Sequence, residues 1–130
     1  MFIKRLKQLE VDIDSENFDF IAISSQLEEF GRNNMMPQKL IRNAQLVFEE
    51  IVSENLVQYS ENVGTLYPIR VIAEYFDTDE SLTMIINYCG EQYDPFLDGD
   101  ELSMKLVKKL ASESEYCYED GNNRIKVCFR

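Results

Sequence analysis

Leu40, Ile41, Ala44, Val47, Phe48, Ile51, Val52, Leu56 and Tyr59 recur at steps of three and four residues and fall within one broad helical face. This is the longest periodic signal in the chain. Pro37 suits its first turn, and Glu61-Asn62-Val63-Gly64 breaks it. A shorter stripe before it, Phe20, Ile23, Leu27 and Phe30, predicts another core-facing helix. Ser15-Glu16-Asn17 is its candidate start, and Gly31 or a following Asn its left-handed stop. Phe2, Leu6 and Leu9 fit either a short helix or an edge strand. From Leu66 the period drops to two. Ile69, Val71, Ala73 and Tyr75, then Leu82, Met84, Ile86 and Tyr88, alternate on either side of a turn at 77–80, predicting an antiparallel hairpin. Both its faces carry apolar residues, which predicts a central place in the sheet. An acidic loop at 89–100 follows. Leu102, Leu106, Val107 and Leu110 resume helical spacing, with Lys105, Lys108 and Lys109 toward water. Residues 115–118 read as a strand and 120–123 as a turn. Ile125, Val127 and Phe129 alternate as a final edge strand, guarded by Lys126 and the flanking arginines.

Helices, hairpin, helix, hairpin is an order with few crossovers. It predicts an α+β two-layer sandwich, with a mostly antiparallel sheet and helices on one face. At 130 residues and 45% hydrophobic composition the chain is one domain with an adequate core; residues 1–17 are set aside as an N-terminal extension. The net charge of −11 excludes nucleic acid and anionic membranes as partners. A basic or neutral protein surface fits better. The chain has no histidine, which removes Ser-His-Asp and Cys-His catalysis and the usual zinc enzymes. Cys89, Cys117 and Cys128 form no CxxC pair, which favours a reducing, cytoplasmic setting. No apolar run approaches the ~20 residues of a membrane span.

Three stretches resemble parts of the histidine-kinase-like ATPase domain of the GHKL superfamily, nearest the bacterial anti-sigma-factor serine-kinase branch. LVFEEIVSENLVQY looks like the helix with the Glu-x-x-x-Asn box. MIINYCGEQYDPF looks like the Asp-x-Gly strand and loop. ELSMKLVKKLASESEYCYEDGNNRIKV looks like the helix after the lid and the final hairpin. The resemblance implies a Bergerat-like ATPase fold, ATP and Mg²⁺ as cofactors, and a regulatory protein partner, with a homodimer left open. It also implies roles by position. Glu50 stands as general base. Glu54 stands in the metal-ligand position with Asn55 one residue later, so either Glu54 replaces the ligand or Asn55 serves after a local helix bulge. Tyr88 stands where the adenine-reading Asp belongs, and Gly90 and Asp94 match the rest of that loop. Ser103, with Glu101, stands where lid glycines belong. Two functions follow: a degenerate domain that binds a regulatory protein and has weak or no nucleotide binding, or an active Mg-ATP-dependent serine/threonine protein kinase or ATPase. A third reading, independent of the resemblance, is an acidic α+β domain with a small-molecule cleft.

Overall fold

The computed structural model describes residues 6–130. Its elements are β1 (Leu6–Ile13), α1 (Phe20–Asn33), α2 (Gln38–Phe48), a π-helical segment (Glu49–Val57), α3 (Gln58–Asn62), β2 (Ile69–Phe76), β3 (Ser81–Cys89), α4 (Pro95–Asp98), α5 (Glu101–Leu110), β4 (Glu113–Glu119) and β5 (Asn122–Phe129). The strands form one sheet in the order β1-β2-β3-β5-β4, and every pairing is antiparallel. The helices cover one face of it, which makes the predicted α+β two-layer sandwich. Among the described residues no helix is long and apolar enough to cross a membrane.

Period-two alternation decides which strand residues enter the core. Ile69, Val71, Ala73 and Tyr75 of β2 are buried, and so are Leu82, Met84, Ile86 and Tyr88 of β3. Ile125, Val127 and Phe129 continue the same face on β5. The long helix meets that face with Val47, Phe48, Ile51, Val52 and Leu56, all 0% exposed. Each such side chain stabilises the fold by about 1.5–3 kcal/mol through its removal from water.

Of the two readings open for the first stretch, the edge strand is the one found: β1 pairs with β2 from Leu6↔Phe76 to Ile13↔Ile69, while Phe2 lies outside the described residues. Other local expectations are corrected. The start of α1 is capped by Asp19, which accepts from the Ala22 amide at 3.0 Å, rather than by 15–17. Gly31 does not stop α1. It lies inside the helix, and a Cβ there would sit 2.4 Å from Ile41 Cγ1, so it lets α1 and α2 approach closely. The left-handed stop is Met35 (φ 55°), with the Met36 amide bonded back to the Gly31 carbonyl at 2.9 Å. The strand at 122–129 is interior, between β3 and β4, and β4 takes the edge. Leu102 is 75% exposed; the buried residues of α5 are Ser103, Met104 and Val107, and Asp100 caps its start.

Candidate functional site

The site sits where the long helix passes the segment from Gly90 to Asp100. Glu49–Val57 winds as π-helix, a rare conformation that widens the helix locally. The helix bulge raised as an alternative for Asn55 is therefore present. Asn55 is buried. Its Nδ2 donates to the Glu50 carbonyl at 2.6 Å, and its Oδ1 accepts from the Asp100 amide at 2.8 Å. Both ends of the side-chain amide are thus spent within the protein. The chain can come this close only because residue 99 is glycine: a Cβ there would lie 2.6 Å from Asn55 Oδ1. Glu50 is half-buried and Glu54 exposed on the same helix.

Asp100 is a node. It gives its amide to Asn55, and its carboxylate accepts from the Ser103 amide at 3.0 Å and the Ser103 hydroxyl at 2.9 Å. Ser103 is buried in that embrace. The carboxylate therefore occupies the first-turn donor of α5 where an anion would otherwise bind.

The loop after β3 is fastened to the sheet. Gly90 (φ 128°) holds a conformation that favours glycine, and a Cβ would lie 2.7 Å from the Thr65 carbonyl. Its amide bonds to the Gly121 carbonyl, and its carbonyl accepts from the Tyr118 hydroxyl at 3.0 Å. Tyr93 is buried, stacks on Tyr59 with centroids 4.0 Å apart, and donates its amide to Asn123 Oδ1 at 3.0 Å. The Tyr88 hydroxyl donates to the Tyr93 carbonyl at 2.6 Å, so it points into the protein. Burial, reinforced by nearby Tyr116 and Asp94, pushes its pKa far above the usual tyrosine value. Asn123, fully buried, gives Nδ2 to the carbonyls of Tyr88 and Glu91 and also receives the Tyr116 hydroxyl. Asp94 caps α4 through the Phe96 amide at 2.9 Å; burial raises its carboxyl pKa.

Three depressions run side by side along the helix. Glu50, Glu54, Asp100, Leu102, Ser103 and Leu106 line the first, about 350 Å³. The second, about 230 Å³, shares Glu54 and Asp100 and adds Asn55, Gln58, Tyr59 and Asp98 among others. The third, about 300 Å³, holds Gly90 beyond Tyr59. Glu50, Glu54 and Ser103 are thus brought together, Asn55 lies beside them, and Gly90 lines the third depression, which meets the second at Tyr59 and Val63. Tyr88 and Asp94 line none of the three.

These residues do not fit a magnesium nucleotide. The lining carboxylates have no lysine or arginine among them to meet a triphosphate. The Asn55 amide and the Ser103 hydroxyl are already bonded. Among the described residues no group of three or more acidic, cysteine or histidine side chains is arranged to hold a metal. Sequence reasoning missed Tyr59 facing Tyr93, and it missed Asn123. One signal was there for Asn123. It shares the inward parity of Ile125, Val127 and Phe129, and a polar side chain at an inward position must find buried partners.

No family model matches the chain, and no curated protein sequence matches it. Among solved structures, the crystal structure of the RsbU and RsbW domains of Rv1364c from Mycobacterium tuberculosis is similar, with a TM-score of 0.64 at 15% sequence identity. The similarity covers 95% of this chain and 31% of that one, so the chain spans about a third of that protein's length. At this identity the likeness is one of fold. The antiparallel sheet backed by helices bears out the α+β two-layer architecture expected from the element order, and it is consistent with the ATPase-like fold that the three stretches imply.

Proposed function

We propose that this chain is a regulatory protein-binding module, built on the GHKL-type fold, that no longer uses a nucleotide. One observation carries the reading. The buried Asn55 amide, nearest the expected metal position, is consumed by Glu50 and Asp100, and so closes the helix onto the segment leading into α5. The Tyr59–Tyr93 stack and the carboxylates of Glu50, Glu54 and Asp100 support it, since they supply bulk and negative charge where a triphosphate would need space and donors. The depressions are shallow and open, which suits a macromolecular surface better than a small ligand that must be mostly enclosed.

Thermal melting in the presence of Mg-ATP and Mg-ADP tests this. A ligand with a Kd of about 100 μM, supplied at about 5 mM, stabilises the native state by about 2 kcal/mol and raises the melting temperature by several degrees. We expect a shift below about 1 °C with either nucleotide. A rise of several degrees would instead favour the kinase or ATPase reading, in which Glu50 acts as base.

A further inference from the structure

Resting on the protein-binding reading, the geometry points to the groove between the π-helical segment and α5 as the docking surface, and to a basic amphipathic segment of a partner protein as its occupant. The first two depressions join through Glu54 and Asp100 into one trough along the helix. The trough runs beside the helix from Glu50 to Asn62, so a short helical segment can lie along it. Its carboxylates are Glu50, Glu54, Asp98 and Asp100, and no lysine or arginine lines it.

Charge alone would not single out this trough on a chain of net charge −11. Charge and apolar exposure together do: Ile21 and Met35 are just as exposed, but neither lines this row of carboxylates. Leu102 in its wall is 75% exposed, Val63 at its other end is 75% exposed, and Leu97 on adjacent α4 is 83% exposed. Large apolar side chains bordering a row of carboxylates match a segment in which lysine or arginine alternates with leucine-sized residues. Two other depressions that gather a pair of glutamates contain a cation as well. Glu113 and Glu115 share theirs with Lys126, and Glu28 and Glu29 share theirs with Arg32. The trough's carboxylates lack such a companion in their lining. Its walls are also fixed in advance, by Asn55 on Asp100 and by Asp100 on Ser103, so little ordering is lost when a partner binds.

The probe is a labelled 12-residue amphipathic peptide of lysine and leucine, followed by fluorescence anisotropy against the intact chain. Its counterpart has glutamate in place of lysine. We expect micromolar binding of the basic peptide that weakens several-fold between about 50 and 300 mM salt, and none of the acidic one. Glu54→Lys, at an exposed position, is expected to weaken binding about tenfold, and Leu102→Ser about threefold or more. Glu113→Lys, far off on β4, is expected to change it less than about twofold. Equal losses from Glu54→Lys and Glu113→Lys would reduce the effect to net charge and overturn the assignment. So would failure of the basic peptide to bind, or indifference to Leu102→Ser. A dimer in light scattering that Glu54→Lys dissociates would make a second copy the occupant and overturn it as well. A nucleotide-induced rise in melting temperature sinks the protein-binding reading itself; absent peptide binding with flat melts sinks only the docking assignment.

Discussion

Asn55 and Asn123 perform the same task at two ends of the site. Each is a buried side-chain amide that satisfies backbone groups of a loop remote in sequence. Asn55→Ala strands the Asp100 amide, so it should cost about 1–3 kcal/mol in urea unfolding and speed hydrogen exchange near residue 100. Tyr88 poses a related test. Tyr88→Phe removes the bond to the Tyr93 carbonyl and should cost about 1–2 kcal/mol at pH 8. Because burial raises the Tyr88 pKa, the native state keeps this proton while the unfolded chain loses it near pH 10. The stability tied to Tyr88 is therefore complete below pH 10 and is lost as pH rises beyond it. The deficit of the Phe variant should accordingly shrink between pH 8 and pH 11 in denaturant titrations. At this scale parity and spacing made the core positions legible, whereas it was the resemblance that grouped Glu50, Glu54 and Ser103, which line one depression. The commitment of Asn55 was not legible, because its partner Asp100 is 45 residues away and the contact needs Gly99 between them.

Between elements, the α1–α2 contact depends on Gly31. Gly31→Ala would drive a methyl into Ile41 and should cost about 1–3 kcal/mol; in a double-mutant cycle with Ile41→Ala the penalty should fall. The π-helical segment makes a sharper claim. A π turn holds about one residue more than an α-helix needs for the same rotation. Deleting Ser53 should let Glu49–Val57 revert to α-helix while α3 keeps its face toward the core. Deleting Gln45 from the regular stretch would instead turn every later apolar residue by about 100°. Circular dichroism melts should show the first variant folded and the second not. The shortened helix would also carry Asn four residues after Glu50, the spacing of the box it resembles. The helix itself was plain from its apolar stripe, since burial alone sets that period. Its widened turn was not, because one extra residue barely disturbs a broad face. The edge strand was misjudged for a similar reason: Lys126 and Arg124 guard the open side of the sheet, not its border.

The whole molecule is lopsided. One face of the sheet carries all the helices, and the other is left with Ile72 and Ile85 paired at its middle, half-buried among polar neighbours. This architecture was readable from element order, because hairpins joined by short links leave few other arrangements. Where its charges gather on that frame was not, since it depends on which strand lies outermost. One of the two edge strands, β4, shows Glu113, Glu115 and Glu119 to solvent. Those carboxylates discourage another chain from adding to its free backbone. The isoelectric point of the sequence is about 4.4, so acidification toward it removes the mutual repulsion between molecules. Turbidity should climb steeply as solutions approach that pH and clear again on neutralisation, and Glu113→Gln with Glu115→Gln should move the onset upward. The protein's colloidal lifetime in an acidified environment would then follow the net charge that keeps its molecules apart.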